Sequence, residues 1–378
     1  MFESPPFWMY ILGFLLLLGP LITLHELGHY LVGRWSGVKA DIFSIGFGKE
    51  IAGFTDRHGT RWRLSVLPLG GYVQFKGDMN PASVPDSDAI AAAGEAEREG
   101  SFHHASLGKR ALIVAAGPVA NILVTLAIFA GFFMAIGYPV AKDAEQQLTI
   151  AAFPEGSPAR KAGIELGDRI VAIEGKRVDK LMDVQQAVMA YPDEVLGVRV
   201  ERDGKPLDFS VRTMSMEVTD RFGNPSRIGL IGIQAAEAET EFVPQGLFSS
   251  VGLAVEETGR MTVMMVTGIK QIVTGQRSVK ELGGPIKIAK YSGEQLSLGW
   301  LSFVNFAALI SLNLAFINLL PIPGLDGGHL AFYAAEAVRR KPVGARGMEW
   351  AYRTGMALVL MLMLFVTFND LVSLSPFG

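Results

Sequence analysis

Long runs of apolar residues alternate with polar segments along the chain and predict four membrane-spanning helices. The apolar runs cover residues 7–24, 111–140, 300–320 and 355–368, and the first and fourth helices are expected to reach residue 32 and to start near residue 352. A helix needs about 20 mostly apolar residues to cross a bilayer. We therefore expect a multi-pass α-helical membrane protein with four transmembrane helices. The first run resembles a signal peptide in its position, but no basic residue precedes it and no clear cleavage site follows it, so we interpret it as a retained helix.

A strand-like alternation of apolar residues follows the first run. The apolar positions of this pattern are Phe43, Ile45, Phe47, Trp62, Leu64 and Val66. Glycine-containing turns at 46–49 and 67–72 separate them, so residues 35–78 are expected to form a membrane-associated β-hairpin region. Its edge would either pair with an extended substrate segment or serve only a structural purpose. Residues 79–108 are rich in small and acidic residues and predict a linker, in which His103 and His104 are expected to be solvated.

A soluble unit is predicted between the second and third apolar runs. The segments Ser157-Pro158-Ala159, Ala162-Gly163-Ile164 and Gly167-Asp168 resemble a PDZ domain of the kind found in bacterial proteases. Residues 181–190 would form the helix beside its groove, and residues 198–211 a hairpin with its turn at 203–204. The unit would either bind a peptide terminus or act only as a steric gate. Residues 246–273 carry several charges and predict an amphipathic helix on or near the membrane.

Composition agrees with this organisation and excludes several functional classes. Hydrophobic residues make up 49% of the 378 residues and charged residues 19%, and the mean hydropathy is +0.31, as in an integral membrane protein with some soluble mass. The net charge of −3 argues against nucleic-acid binding. The absence of cysteine excludes disulfides, thiolate-bound zinc and a cysteine nucleophile.

Basic residues at the ends of the apolar runs indicate the orientation. Arg34 follows the first run, Lys109 and Arg110 precede the second, and a basic loop separates the third from the fourth. Because Lys and Arg are enriched in cytoplasmic loops, these ends are predicted to be cytoplasmic. Both termini and residues 143–299 are then extracytoplasmic, and the first and third helices both run inward.

The principal candidate for chemistry is a His-Glu-x-x-His motif near the end of the first apolar run. On a helix, His25 and His29 lie one turn apart on the same face, where two imidazoles can share one zinc ion. Glu26 beside them can act as general base on a water molecule. Such polar residues are costly in a membrane and are therefore candidates for function. The alternative is a pair of packing histidines with an ion-paired glutamate.

A second candidate site follows the third apolar run. Pro321 and Pro323 cannot continue a regular helix, and Asp326 comes just after this break. Asp326 would be a third zinc ligand or, alternatively, the N-cap of the next helix. His329 is a competing ligand candidate that we rank below Asp326. The predicted orientation brings Asp326 and the histidines to the same side of the membrane.

Asparagines inside the apolar runs are further candidates. Asn121 follows Gly117 and Pro118 in the second run, and it would either contact a neighbouring helix or orient substrate at the catalytic site.

Four features together resemble the site-2 protease family of intramembrane zinc metalloproteases, and most closely its bacterial regulator of sigma-E protease type. They are His25-Glu26-Leu27-Gly28-His29, Gly117-Pro118-x-x-Asn121, the PDZ-like unit, and Asn318-x-x-Pro321-x-Pro323-x-Leu325-Asp326-Gly327. The resemblance implies that His25, His29 and Asp326 hold Zn2+ and that Glu26 is the catalytic base. It also implies that Asn318 and Asn121 help to hold the substrate or the oxyanion.

The resemblance further implies a place in the bacterial inner membrane, with the active site toward the cytoplasm and the PDZ domain outside. The implied partners are the lipid bilayer and single-span membrane substrates, namely anti-sigma factors already trimmed outside by another protease and remnant signal peptides. A peptide terminus in the PDZ groove is a further possible partner, and nucleic acid is not one. Unlike the best-known enterobacterial members, which carry two PDZ units in tandem, this chain shows one.

These inferences divide the chain into nine segments. They are 1–34 (first transmembrane helix with the zinc motif), 35–78 (β region), 79–108 (cytoplasmic linker), 109–140 (second transmembrane helix), 143–216 (PDZ domain), 217–299 (extracytoplasmic linker and amphipathic helix), 300–332 (third transmembrane helix with the Asp-Gly motif), 333–353 (cytoplasmic basic loop) and 354–372 (fourth transmembrane helix).

Two other functions compete with proteolysis. A zinc transporter would also place His and Asp at membrane depth, but the chain shows no internal repeat and a transporter has no evident use for Glu26. A non-catalytic module that holds membrane partners through the PDZ-like unit would not depend on Glu26.

Overall fold

Long helices and small β-sheets alternate along the chain. The computed structural model describes residues 5–77, 98–141, 148–219, 225–235, 240–275, 279, 282–341 and 345–374. Its helices are α1 (Phe7–Trp35), α2 (Leu107–Ala135), α3 (Pro158–Lys161), α4 (Leu181–Met189), α5 (Leu247–Val273), α6 (Pro285–Ser297), α7 (Trp300–Leu319), α8 (Asp326–Arg339) and α9 (Ala345–Leu374). Its strands are β1 (Ala40–Thr55), β2 (Arg61–Phe75), β3 (Tyr138–Ala141), β4 (Ile150–Ala152), β5 (Arg169–Ile173), β6 (Lys176–Arg177), β7 (Val195–Arg202), β8 (Lys205–Arg212), β9 (Met214–Thr219), β10 (Pro225–Leu230), β11 (Gln234–Ala235) and β12 (Thr240–Val243).

The chain forms two compact units. The helical unit comprises residues 5–129 and those from 278 onward, and the β-rich unit comprises residues 130–277. The predicted linker at 79–108 lies mostly outside the described residues; in its described part, Nδ1 of His104 is 3.2 Å from the hydroxyl of Ser101.

Four helices in the described part of the chain are long and apolar enough to cross a membrane. They are Phe7–Trp35, Leu107–Ala135, Trp300–Leu319 and Trp350–Val372, which agrees with the predicted number of long apolar helices. The second ends at Ala135 rather than near residue 140, because Gly137 adopts a φ of 109° and the chain then continues as β3. The last helix begins at Ala345, before the predicted start at 354.

The third span breaks where the prolines predict it. α7 ends at Leu319, and α8 begins only at Asp326. Pro321 and Pro323 lack the N–H groups that a continuing helix would need. A Cβ on Gly327 would lie 2.3 Å from the carbonyl oxygen of Leu319, so the first turn of α8 packs directly on the end of α7. Residues 300–332 therefore form two helices with a tight loop between them.

β1 and β2 fold back on themselves and form four paired segments. Residues 40–45 pair with 71–75 on one side and 61–64 on the other, while residues 50–55 pair with the far side of 61–65. Gly46 and Gly48 have φ values of 90° and 93°, which fits the turn predicted at 46–49. Among the described residues, segment 71–75 has a strand partner on one side only, so it is an edge of the sheet.

A partly buried carboxylate ties this sheet to the last part of α1. Asp56 accepts hydrogen bonds from the Tyr30 hydroxyl and the Trp62 indole, each at 3.0 Å. Burial raises the pKa of Asp56, but hydrogen bonds from Trp62, the His58 and Thr60 N–H groups and Tyr30 outweigh it and hold the pKa well below its usual range. The sheet is thus held beside the part of α1 that carries the histidine motif.

The β-rich unit contains a four-stranded sheet with the strand order β6-β5-β7-β8. The hairpin β7–β8 turns at Asp203 and Gly204, whose φ values are 52° and 73°, and α4 covers residues 181–189, both as predicted. The core extends past the predicted boundary at 216, because Ile231 is buried in it and β11 pairs with β4. The predicted helix at 246–273 is confirmed as α5.

Candidate metal centre

α1 carries the two histidines of the motif on one buried face. His25 and His29 are 8% and 9% exposed, and their Nε2 atoms lie 3.2 Å apart. Gly28 lies between them, and a Cβ there would be 2.4 Å from the carbonyl oxygen of Ala116 on α2. The glycine therefore allows α2 to approach α1 closely enough to enclose both rings.

Asp326 reaches the same point from α8. Its Oδ2 atom lies 3.1 Å from Nε2 of His25 and 3.6 Å from Nε2 of His29. The N-cap position of α8 belongs to Leu325, and no side chain caps that terminus. The Asp326 carboxylate is thus directed at the histidines instead of capping its own helix.

The outer ring nitrogens indicate which atoms carry protons. Nδ1 of His29 lies 2.8 Å from the carbonyl oxygen of Ile113, which can only accept, so Nδ1 is the donor. The Nε2 atom of neutral His29 then presents a lone pair to the centre. Two imidazole nitrogens that present lone pairs and a carboxylate oxygen repel one another at these distances unless a proton or a metal cation lies between them.

The geometry of these three atoms fits zinc. Ligand atoms about 2.0–2.1 Å from a tetrahedral ion stand about 3.3 Å from each other, close to the three separations measured here. Two histidines and one carboxylate, with a fourth position for water or substrate, are a ligand set of catalytic zinc sites. His25, His29 and Asp326 form the group of potential metal ligands found among the described residues.

One side of the centre is kept open by a glycine. A Cβ added to Gly117 on α2 would lie 2.2 Å from Nε2 of His29 and 2.7 Å from Nε2 of His25. Any side chain at this position would therefore displace the ligand atoms. The sequence alone does not assign this role to Gly117, although a glycine beside Pro118 in an apolar helix indicates either a close approach of another helix or a kink.

A cavity of about 430 Å³ opens beside the centre, within the helical unit. Glu26 lines it together with the histidines, and a Cβ on Gly71 would lie 3.2 Å from Cγ of Glu26. The edge segment of the β1–β2 sheet therefore passes next to Glu26. Asn318, at the end of α7, lines the same cavity.

Asn121 contacts a histidine directly. It is fully buried, and Nδ2 of its amide lies 3.3 Å from Nδ1 of His25. Its Oδ1 atom is buried with no hydrogen-bond partner among the described residues. A half-turn of the amide would place the oxygen next to Nδ1 of His25, which carries the proton when Nε2 faces a metal.

His329, the competing ligand candidate, also lines the cavity but lies outside the cluster of three ligand atoms. Its Nδ1 is 2.7 Å from the hydroxyl of Tyr352 on α9. The structure therefore brings His25, His29 and Asp326 together, with Glu26, Asn121 and Asn318 around the same cavity.

Comparison with known proteins identifies the family. The model of peptidase family M50, the site-2 protease family, matches residues 13–362. This chain belongs to peptidase family M50. Two relatives carry the name "Putative zinc metalloprotease": one from Agrobacterium fabrum is 42% identical over 97% of this chain and 96% of its own length, and one from Brucella suis is 43% identical over 96% and 94%. Metalloprotease MmpA of Caulobacter vibrioides is 32% identical over 97% of this chain and 96% of its own length.

Family membership makes this M50 protein a zinc-dependent metalloprotease. Together with its four long apolar helices, it also makes the protein an integral membrane protein. Among solved structures, the PDZ domain of the SdrC-like protein from Listeria monocytogenes matches 24% of this chain and 88% of its own, with 15% identity and a TM-score of 0.19. A score this low does not establish a fold, so the PDZ domain remains a prediction from the sequence.

Proposed function

We propose that this protein is an intramembrane endopeptidase that hydrolyses peptide bonds within or near the transmembrane segments of single-span membrane proteins. The observation that carries the proposal is the position of the candidate centre. His25 and His29 lie on a helix that is long and apolar enough to span a membrane, and a cavity opens beside them. A site at that depth is suited to a substrate that is itself in the membrane.

In this proposal, His25, His29 and Asp326 hold the zinc ion. When bound, zinc supplies Lewis-acid polarisation of water and of the substrate carbonyl. Glu26 lines the cavity next to the histidines and acts as the general base: its carboxylate takes a proton from the attacking water and later gives it to the leaving amine. The buried surroundings of the histidines exclude bulk water from the ligands.

The edge segment at 71–75 would hold the substrate in an extended form. A transmembrane helix hides its carbonyls in internal hydrogen bonds, so the substrate must unwind before it can be cut. Pairing its freed backbone with an available strand edge would offset that cost. Because this edge passes next to Glu26, a paired substrate would run alongside the catalytic residues.

We assign different roles to the two asparagines. Asn318 lines the cavity, which suits a role in binding substrate or the oxyanion. Asn121 lies against His25, which suits a role in orienting that ring.

Replacing Asn121 with Leu should lower zinc affinity roughly ten- to a hundredfold, which is the usual effect of losing a hydrogen bond to a metal-bound histidine. Asn121→Asp keeps an acceptor for Nδ1 and should retain most of the affinity. Zinc affinity is measured by competition with a chelator in the purified, detergent-solubilised protein. Loss of cleavage in Asn121→Leu with unchanged zinc affinity would instead support a role in substrate binding.

The wider setting also belongs to the proposal. The active site would face the cytoplasmic side of a bacterial inner membrane. Arg34 lies at the end of α1 close to the histidines in sequence, and Arg110 lies at the start of α2, the helix that contacts the histidines. The PDZ-like unit would then be extracytoplasmic and would bind peptide termini or limit access. Anti-sigma factors and remnant signal peptides are the substrate classes that the family resemblance favours.

The deciding experiment is cleavage of a single-span reporter by the purified protein, with the cut site mapped by mass spectrometry. We expect a zinc-dependent cut inside the reporter's apolar segment. The matched control is a reporter whose apolar segment has the same length and is made of leucine, which resists unwinding and should be cut more slowly. Cleavage confined to soluble loops would contradict the proposal, and zinc flux in vesicles without cleavage would favour a transporter.

A further inference from the structure

Pro323, in the loop between α7 and α8, packs directly against two helices, and both contacts are made by glycines. A Cβ added to Gly328, in the first turn of α8, would lie 2.8 Å from Cα of Pro323. A Cβ added to Gly355 of α9 would lie 2.6 Å from Cβ of Pro323 and closer still to its carbonyl oxygen. A side chain at either position would therefore push the loop away from the helix.

A second contact joins α9 to α8, one turn after Asp326. The Tyr352 hydroxyl lies 2.7 Å from Nδ1 of His329, and the centres of the two rings are 5.2 Å apart. His329 follows Asp326 by three residues and so lies about 60° around α8 from it. The first turn of α8 thus presents Asp326 to the histidines of α1 and His329 to α9. Fixing the His329 ring therefore also limits rotation of the turn that carries Asp326.

The buried residues of α9 lie near its two ends. Among the residues of α9 whose burial is described, they are Tyr352, Gly355 and Asp370. Asp370 accepts hydrogen bonds at 3.0 Å from the N–H groups of Gly284 and Lys287, where α6 starts. Six apolar side chains between the ends are 49–72% exposed, namely Leu358, Leu360, Met361, Leu362, Met363 and Leu364. The start of α9 is thus the part that packs on the loop before Asp326.

The position of Asp326 depends on this loop. A metal-binding constellation must be held within about 0.5 Å of its working geometry. Asp326 comes only three residues after Pro323, and the two prolines of the loop lack the N–H groups of a regular helix. The backbone before Asp326 therefore needs support from neighbouring elements, and α9 supplies it at Pro323 and at His329.

We propose that the start of α9 positions the third metal ligand. Gly355 and Tyr352 are positioning residues: they hold the loop and the first turn of α8, and this keeps the Asp326 carboxylate facing the two histidines of α1. The role rests on Asp326 being a zinc ligand, as in the proposed function, and is independent of which substrate is cut. A helix that only anchored the chain in lipid would tolerate Ala at position 355 and Phe at position 352.

The test measures zinc affinity of the full-length, detergent-solubilised protein with chelators of graded strength. Gly355→Ala adds one methyl group against Pro323, and we expect the affinity to fall at least tenfold. Tyr352→Phe removes one oxygen atom, and we expect a fall of about two- to tenfold, the usual effect of one lost hydrogen bond. Met356→Ala is the matched control, because this neighbour of Gly355 is 41% exposed, and it should keep the wild-type affinity.

Cobalt bound in place of zinc gives a second readout, because its visible absorption depends on the number and geometry of its ligands. We expect Gly355→Ala to change this spectrum and Met356→Ala to preserve it. Unchanged affinity and spectrum in both the Gly355→Ala and Tyr352→Phe variants would overturn the proposal. Loss of cleavage in Tyr352→Phe at unchanged zinc affinity would also overturn it, since Tyr352 and His329 would then act on the substrate.

A double-mutant cycle shows whether α9 acts through Asp326. In an Asp326→Ala background, Gly355→Ala should cause no further loss of zinc affinity, whereas in an Asn121→Leu background it should cause the same loss as in the wild type. Equal losses in both backgrounds would mean that α9 supports the fold in general, which overturns the proposal. Undiminished zinc affinity in Asp326→Ala alone would reject the ligand set itself, whereas a loss there and none in Gly355→Ala would reject only the role of α9.

Discussion

Replacing Glu26 with Gln should leave zinc bound and lower cleavage of a single-span reporter roughly a hundredfold to ten-thousandfold, the usual contribution of a general base. Gln has nearly the shape of Glu, so the packing of α1 against its neighbours should persist. It cannot take a proton from water at neutral pH. The three ligand atoms on His25, His29 and Asp326 are not altered by the change.

The measurement pairs initial cleavage rates with zinc content from atomic emission on the same preparations. Glu50→Gln is the control, because Glu50 pairs with Arg61 on the sheet and does not line the cavity. If the Glu26→Gln variant retains full cleavage, Glu26 is not the base, and a binding function for the protein gains support. If zinc is lost together with activity, the substitution has disturbed the metal centre, and the role of Glu26 is then tested with the variant Glu26→Asp.

Replacing Gly117 with Ala should reduce zinc affinity at least tenfold and reduce cleavage with it. The added methyl group would lie 2.2 Å from Nε2 of His29, well inside van der Waals contact. Both histidine rings are enclosed between α1 and α2, so they cannot move aside without losing the hydrogen bond from His29 to Ile113. The methyl group would therefore occupy space that the ion and its ligands need.

The same substitution at Gly131 is the matched control, because this glycine is also on α2 and nothing lies within 4 Å of its added Cβ. Gly131→Ala should retain zinc and cleavage, and in a helix it should be neutral or slightly stabilising. Chelator competition measures zinc affinity in both variants. Equal affinity in the Gly117 and Gly131 variants would mean that α2 does not approach the ligands as closely as the structure indicates.

The two predictions examine different parts of one site. Glu26 transfers protons, whereas Gly117 leaves room for the metal ligands. The Glu26→Gln variant should therefore lose cleavage and keep zinc binding, and the Gly117→Ala variant should lower both. The reporter experiment addresses a third matter, namely where in a substrate the cut falls. Zinc binding without any cleavage of membrane reporters would retain the metal centre and reject the proposed substrate class.

The broken third span illustrates how far local sequence rules extend. Two prolines within three residues predict that the helix stops, and it does stop at Leu319. The same rules allow two roles for Asp326, as a zinc ligand or as the N-cap of the next helix. Which one applies depends on what faces the carboxylate in space, and the histidines that face it are about three hundred residues away in the chain.

In the β-rich unit, local sequence patterns predict some elements and miss the extent of the core. Its hairpin turn and the helix at 181–189 follow from local patterns and were predicted. Its extension past residue 216 was not predicted, because Ile231 and β11 join the core through long-range packing and pairing. A single strand carries no local signal of which partner it will choose.

The sequence by itself determined the four apolar helices, the break after the third, the histidine motif on one helix face and the family. These features depend on periodicity and on residue chemistry, which are local properties of the chain. Only the tertiary structure decided that Gly28 and Gly117 let α2 close over the histidines, that Asn121 contacts His25 and that a strand edge passes Glu26. Close packing between distant segments determines these features, and no local pattern specifies which surfaces will meet.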